Sequence, residues 1–341
     1  MFQWAHTVGD SLEFVGSHLT SPNHRLFIGY LFTSVMLAGW VFLRRPKKGS
    51  FIAYLFPKET WLGASSRLDF QLILVNGFIK VAFLSQFIVV SLALAEGTHS
   101  LLTAAFGAPR HFLSPTYTLV GYTLTLLLLN DFVSYWVHRA MHEVHILWRF
   151  HQVHHSASTL TPFTLLRLHP VEILIHHGRH ILVAGFVAGA FDFATPHPLS
   201  VFTFLGVHGG TFLFFTWGAN LRHSHVELSY WEPLERLFIS PHQHQIHHSV
   251  DPLHHHKNYG AKFAFWDWAM GTLALSSGGR ELAFGLPDGR AGNQTLYQAL
   301  LGPFYPCLAR VRGRVEKRER PALLKPLTTP EFPTNNLPPG S

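Results

Sequence analysis

Five apolar runs restrict what this 341-residue chain can fold into: residues 26–43, 70–95, 118–137, 171–191 and 199–217. A helix needs about 20 mostly apolar residues to cross a bilayer, so each run is long enough for one crossing. Charged residues make up 13% of the chain, about half the usual share of roughly 25%. The expected fold class is therefore all-α: a polytopic integral-membrane helical bundle of four to five membrane segments with a cytoplasmic, histidine-rich helical cap. The first twenty residues contain Asp10 and Glu13 and lack a basic start before an apolar core, unlike a cleaved signal peptide. Arg44, Arg45, Lys47 and Lys48 put the end of the first run in the cytoplasm by the positive-inside rule. Counting crossings from there brings His138, after the third run, and His223, after the fifth, out on that same face.

Histidine is the other anomaly, with 26 copies against 19 Asp and Glu. Eight fall in three clusters: His138-Arg-Ala-Met-His142, His151-Gln-Val-His154-His155 and His244-Gln-Ile-His247-His248. On a helix, residues three and four apart share a face, so each cluster aims two or three imidazoles at one point. A lone histidine reads as a hydrogen-bonded core or surface residue, but three such clusters read as ligands for iron, zinc or copper. Eight ligands exceed what one tetrahedral or octahedral ion takes, so two ions sharing them is the economical arrangement. Soluble di-iron bundles use paired E-x-x-H motifs. Here the single one, Glu96 to His99, is expected on the opposite side from the clusters. Nor is His142-Glu143-Val-His145 an H-E-x-x-H helix, since Ile146 holds the position of the second histidine. A single cysteine, Cys307, excludes a multi-cysteine zinc or iron–sulfur site. The basic clusters at 44–48 and 310–320 flank apolar or terminal sequence with no nucleic-acid-binding signature, so no nucleic-acid partner is expected.

The order HRAMH, HQVHH and HQIHH resembles the fatty acid hydroxylase/sterol desaturase superfamily of integral-membrane, non-haem di-iron enzymes acting on lipids. The resemblance covers roughly 117–273. It extends to Leu221-Arg-His223-Ser-His225-Val, to the run 239–249, to Lys257-Asn-Tyr-Gly260 and to Trp266-Asp-Trp-Ala-Met-Gly-Thr272. It implies N-terminal membrane segments over 1–116, a histidine-box fatty acid hydroxylase domain over 117–273 and a basic, Pro-rich tail over 274–341. Carried over position by position, it implies the metal ligands His138, His142, His151, His154, His155, His223, His244, His247 and His248, with His225 a rival to His223. It implies two iron ions as cofactor, with zinc a possible substitute. The extra run His254-His255-His256 reads as a solvated loop. His176, His177 and His180, with Arg179, read either as lining a substrate cavity or supporting the metal site, or as interfacial. His208 reads as a packing residue. Arg167, His169 and Glu172, and Asn130 and Asp131, are candidates for supporting the ligands. Trp136, Trp148, Phe150 and Trp231 read as interfacial belt or core.

Such a centre uses O2 to hydroxylate or desaturate a C–H bond of a lipid entering from the bilayer, or to cleave an ether after hydroxylation. Each turnover needs two electrons, and no haem, flavin or iron–sulfur motif is present to store them. A separate electron donor (cytochrome, ferredoxin or reductase) is expected on the cytoplasmic face, near Arg310 to Arg320. Two other classes stay open: a membrane metal transporter or sensor, which needs polar residues through several spans, and a zinc hydrolase using Glu143 or Glu227. The expected host is a bacterial inner membrane, with the endoplasmic reticulum the alternative.

Overall fold

The computed structural model describes residues 13, 16–44, 49–109, 113–277, 282–286 and 294–305. Three long helices organise it: α2 (Ala64–Phe106), α3 (Pro115–Glu143) and α5 (Pro170–Ala194). Proline at the first turn of α3 and α5 sits where its missing N–H costs nothing. Ser114 caps α3 by accepting from Tyr117 N, and His169 Nδ1 caps α5 by accepting from Val171 N at 3.0 Å. The contacts fix direction. Asn76 of α2 donates to Leu168 O, just before α5, at 2.9 Å, and Gly185 of α5 packs on Ser91 of α2. Hence α2 and α5 run in parallel. Thr118, at the start of α3, donates to Thr195, just past α5, at 2.9 Å, so α3 runs back between them in direction. The start of α2, the end of α3 and the start of α5 thus share one end.

Among the described residues, two helices are long and apolar enough to cross a membrane, Ile88–Phe106 and Pro170–Ala194. Large apolar side chains stay exposed along them, including Ile88, Val89, Leu92, Leu101, Leu182 and Phe186. The chain is membrane-associated.

Close approach of α2 and α5 depends on Gly189. A Cβ there would meet the carbonyl oxygen of Ala95 and lie 2.7 Å from Thr98 Cβ, whereas one on Gly178 would meet nothing within 4 Å. Overpacking of this kind costs about 1–3 kcal/mol. Gly189→Ala is therefore expected to lower the thermal midpoint in detergent, and Gly178→Ala to leave it unchanged or raise it. Equal midpoints for the two variants would contradict this packing.

One of the five apolar runs departs from the sequence expectation. The fifth, 199–217, is not one helix. It forms a hairpin, β1 (Thr203–Phe204) with β2 (Val207–His208), followed by the eight-residue helix α6 (Gly209–Thr216). Leu205 and Gly206 turn the hairpin with φ of 50° and 74°, a left-handed region that glycine adopts readily. The segment climbs along α3: Phe202 N donates to Thr123 Oγ1 at 2.8 Å, and His208 Nε2 pairs with Thr123 O at 3.1 Å. His208 is the packing residue expected of it.

The first run forms α1 (Ile28–Arg44), 17 residues long. It buries Tyr30, Ser34, Ala38 and Val41, while Ile28, Phe32, Met36, Trp40 and Leu43 stay exposed on the other face. Just before it, Arg25 O accepts from Asn220 at 2.9 Å; beyond it, Tyr54 O pairs with His225 at 2.6 Å. Ala38 and Val41 pack with Leu221, Val226 and Leu228, so the buried face of α1 rests on the segment around His223.

Candidate metal centre

Four local elements bring the histidines together. His138 and His142 end α3, and His151, His154 and His155 lie on α4 (His145–His155). His223 ends the 3-10 turn Ala219–His223. His244, His247 and His248 lie on α7 (Pro241–His248). Ser240 caps α7 by accepting from Gln243 N, while Gln243 Oε1 accepts from Ser240 N, a reciprocal capping box.

The imidazoles sort into two groups, each with its ligand nitrogens within 4.8 Å of one another: His138, His142, His151, His155 and His247, and then His154, His223, His244 and His248. Several Nε2 atoms face each other closely. His142 and His151 are 3.1 Å apart, His154 and His223 3.3 Å, His223 and His244 3.1 Å, and His244 and His248 3.2 Å. Nitrogens about 2.0–2.1 Å from one ion, at angles between octahedral and tetrahedral, stand roughly 2.9–3.4 Å apart, so the spacing fits a metal. His155 Nε2 and His247 Nε2 are buried without a hydrogen-bond partner, as atoms awaiting an electrophile would be. The donor set is nine imidazoles and no carboxylate.

The far side of several rings is fixed. His151 Nδ1 donates to Glu172 Oε1, His138 Nδ1 to Tyr259 O and His247 Nδ1 to Lys257 O, each at 2.8 Å. Such bonds set the tautomer and leave Nε2 as the ligating atom. The two carbonyls belong to a loop pinned by two buried carboxylates. Asp267 accepts from Tyr259 N, Gly260 N and Thr272 Oγ1; burial raises it to about 6 against the pull of these bonds. Asp131 accepts from Lys262 N, Phe263 N and Trp266 Nε1, tying the loop to α3.

Among the remaining sequence candidates, Glu172 lies 3.5 Å from His176 as well as holding His151. His177 pairs with Ile173 O in its own helix, and His180 with Asn130. His225 is turned to Tyr54 O and His256 to Tyr259 Oη, and both are outside the two groups. Arg167 is wholly buried against Asp69. Glu143 is engaged by Arg139 at 2.8 Å. His99 lies against Asp192 at the opposite end of α2 and α5. Sequence reasoning passed over Arg222, whose Nη2 lies 2.9 Å from His244 Nδ1; its position inside the segment 221–226 was the available signal. The basic run Arg310 to Arg320 lies outside the described residues.

Burial holds eight of the nine imidazoles below the usual histidine range: His138, His142, His155, His223, His244 and His248 well below it, and His154 and His247 at about 3. They are neutral at pH 7, with lone pairs free for a metal. An unfolded histidine takes a proton near 6.5, so below that pH the unfolded chain binds more protons than the folded one. The stabilising contribution is present above about 6.5 and is lost as pH falls towards 3, by up to about 1.4 kcal/mol per pH unit for each such residue. The metal-free protein is expected to melt at a constant temperature from pH 7.5 to 8.5 and at steeply lower temperatures below 6.5. A flat profile from 7 to 4.5 would refute neutral burial.

Residues 123–272 match the fatty acid hydroxylase family. An ornithine lipid hydroxylase of Rhizobium tropici is 29% identical over 165 residues, covering 48% of this chain and 45% of the relative. The human alkylglycerol monooxygenase is 30% identical over 156 residues, 46% of this chain and 31% of the relative. A Delta(7)-sterol-C5(6)-desaturase of Nicotiana tabacum is 25% identical over 158 residues, 45% and 50% of the two chains. The chain thus spans half or less of the length of these relatives. No solved structure matches it. The similarity to the fatty acid hydroxylase family and to these lipid-oxidising relatives is carried by residues 123–272.

Proposed function

We propose that this protein is a membrane-bound, non-haem di-iron enzyme that uses O2 to hydroxylate a lipid C–H bond, with desaturation the variant outcome of the same site. What carries the reading is the pairing of two buried histidine groups, of five and four residues, inside the segment that matches the family. His138, His142, His151, His155 and His247 hold one ion; His154, His223, His244 and His248 hold the other. When bound, two irons supply the reductive activation of O2 needed to attack an unactivated C–H bond. The chain's own part is to hold and orient. Glu172 and the carbonyls of Lys257 and Tyr259 aim their imidazoles, and burial of the cap excludes water from the reacting pair. Zinc suits the same nitrogens and is the expected contaminant. The substrate enters from the bilayer, and electrons come from a separate donor docking on the basic tail.

The proposed topology is multi-pass, with α2, α3 and α5 as the long segments and 199–217 as a broken return. That return bonds α3 at Thr123, while Phe202, Phe204 and Leu205 of the hairpin are exposed. The basic run that begins at Arg44 supports, by the positive-inside rule, a cytoplasmic side for the histidine groups. Residues 117–273 form the catalytic unit, preceded by membrane segments and followed by the tail.

Metal analysis with oxygen uptake tests the reading. Two irons per chain, reductant-dependent O2 consumption, and 18O from 18O2 in a hydroxylated lipid are expected. Zinc alone, with no O2 dependence after iron reconstitution, would overturn it. Comparing lipids of cells carrying wild-type protein or His151→Ala identifies the substrate.

A further inference from the structure

Two turns down α3 from His138, four cations crowd around one carboxylate. The Arg222 guanidinium lies 5.3 Å from the centre of the Phe214 ring, and Lys262 Nζ lies 5.7 Å from the same ring. Lys262 Nζ is 4.0 Å from Asp131 Oδ1. Arg179 donates to both the carbonyl and the side chain of the neighbouring Asn130. Arg25 is tied by its carbonyl to Asn220, two residues before Arg222. Burial depresses the Lys262 ammonium; Asp131 opposes that shift, while Arg179, Arg222 and Arg25 add to it, so Lys262 feels all three guanidiniums. Arg222 also feels Asp267, so four positive charges against two carboxylates leave a formal excess of two. Asp131 is also shared with two backbone N–H groups and Trp266.

The guanidiniums are under-used. Arg25 Nε and Nη2, Arg179 Nε and Arg222 Nε are buried and have no acceptor. Arginine stays protonated, and a buried N–H without a partner costs about 1–3 kcal/mol. A planar fork of N–H donors matches the oxygens of a carboxylate or phosphate. The cluster also has an apolar border, with Leu213 and Trp217 exposed on and just beyond α6. A free inorganic anion would have no use for that border, whereas a lipid would.

We propose that this cation cluster receives the anionic headgroup, a phosphate or carboxylate, of the lipid substrate, and that it sets the oxidised carbon in the headgroup-proximal part of the alkyl chain. The distance argument comes from Arg222, which touches His244 Nδ1 while His244 Nε2 faces the second histidine group. The free Arg222 donor is Nε, so an anion there is separated from the metal position by the guanidinium and one imidazole ring. The alkyl tail then leaves along α6 into the bilayer. This inference rests on the lipid-oxidising reading above.

The test is native mass spectrometry of the iron-loaded protein released from detergent. It is titrated with dioctanoyl phosphatidic acid, dodecanoate, uncharged dioctanoylglycerol and inorganic phosphate. Phosphatidic acid or dodecanoate is expected to bind at least tenfold more tightly than dioctanoylglycerol, and whichever does so identifies the headgroup class. R25Q and K262Q are each expected to weaken that binding about tenfold at unchanged iron content. A variant that loses iron is set aside, because the other variant and the charged-to-uncharged comparison on wild-type protein still decide. Equal binding of charged and uncharged lipids, binding unaffected by the substitutions, or inorganic phosphate matching phosphatidic acid would each overturn the proposal. In the product, a hydroxyl mapped by tandem mass spectrometry to the tail terminus would overturn the positional half. Iron-loaded protein that binds phosphatidic acid yet consumes no O2 with any reductant would sink the oxidase reading and leave the cation cluster's role standing.

Discussion

Replacing His142 by alanine is expected to abolish turnover and to take the iron content below two per chain, whereas His225→Ala leaves iron content near wild type. His142 sits at the middle of its group. Its ring lies 5.1 Å from that of His138 and 4.7 Å from those of His151, His155 and His247, and its Nε2 faces that of His151 at 3.1 Å. Disturbing only the groups that orient a ligand typically costs about 10–100-fold in metal affinity or activity, so deleting a ligand should cost more than 100-fold. His225 has its Nε2 committed to Tyr54 O, and its loss should appear as a modest fall in melting temperature. Iron by plasma mass spectrometry and O2 uptake read both. Full iron in His142→Ala, or iron loss in His225→Ala equal to it, would overturn the ligand assignment.

Arg167→Met is the second large effect, and it acts on stability. Arg167 and Asp69 are both fully buried and 3.0 Å apart. The guanidinium also donates to Val153 O at the end of α4, to Ser156 Oγ and to Ser65 O and Oγ, and Thr164 donates to Asp69 at 2.8 Å. Removing one member of a buried pair strands the other charge, at about 3–5 kcal/mol, a large part of a typical stability of 5–15 kcal/mol. The variant should melt far below wild type and lose iron as the end of α4, with His154 and His155, comes loose. Asp69→Asn combined with Arg167→Met should recover part of the loss, since no bare carboxylate remains. A single variant within about 1 kcal/mol of wild type would show that the pair does not hold α4 in place.

The ligand boxes were legible because helical spacing is written in residue order: intervals of three and four need only the local helix to form. Which of His223 and His225 joins the second histidine group was not legible, since His225 is drawn aside by the carbonyl of Tyr54, 171 residues away. Glu172 stood out as a carboxylate near a helix start. The acceptors at Lys257 and Tyr259 are backbone carbonyls, which every residue type carries, so no side-chain pattern marks them. Runs 26–43, 70–95, 118–137 and 171–191 are all helical, whereas 199–217 is a hairpin and a short helix. In 199–217 the signals against a helix were present, in Pro196 and Pro198 upstream and Gly206, Gly209 and Gly210 within, but hydropathy outweighed them. In 26–43 composition could not tell a helix buried in lipid from one with a face on protein. Ser34 and Ala38 on the buried face become informative only once the partner segment is known.

One hydrogen bond has a consequence for biosynthesis. His138 is oriented by Tyr259 O, 121 residues later in the chain. At ribosomal rates of about 5–20 residues per second, roughly 6–24 seconds separate the synthesis of the two. During that interval the α3 histidines exist with neither their acceptor nor the ligands of α7. A nascent chain at this stage can catch a stray ion only with an incomplete set of imidazoles. The finished geometry, and any selectivity for the correct metal that depends on it, therefore belongs to a chain extended past Tyr259 and not to one that stops short of it.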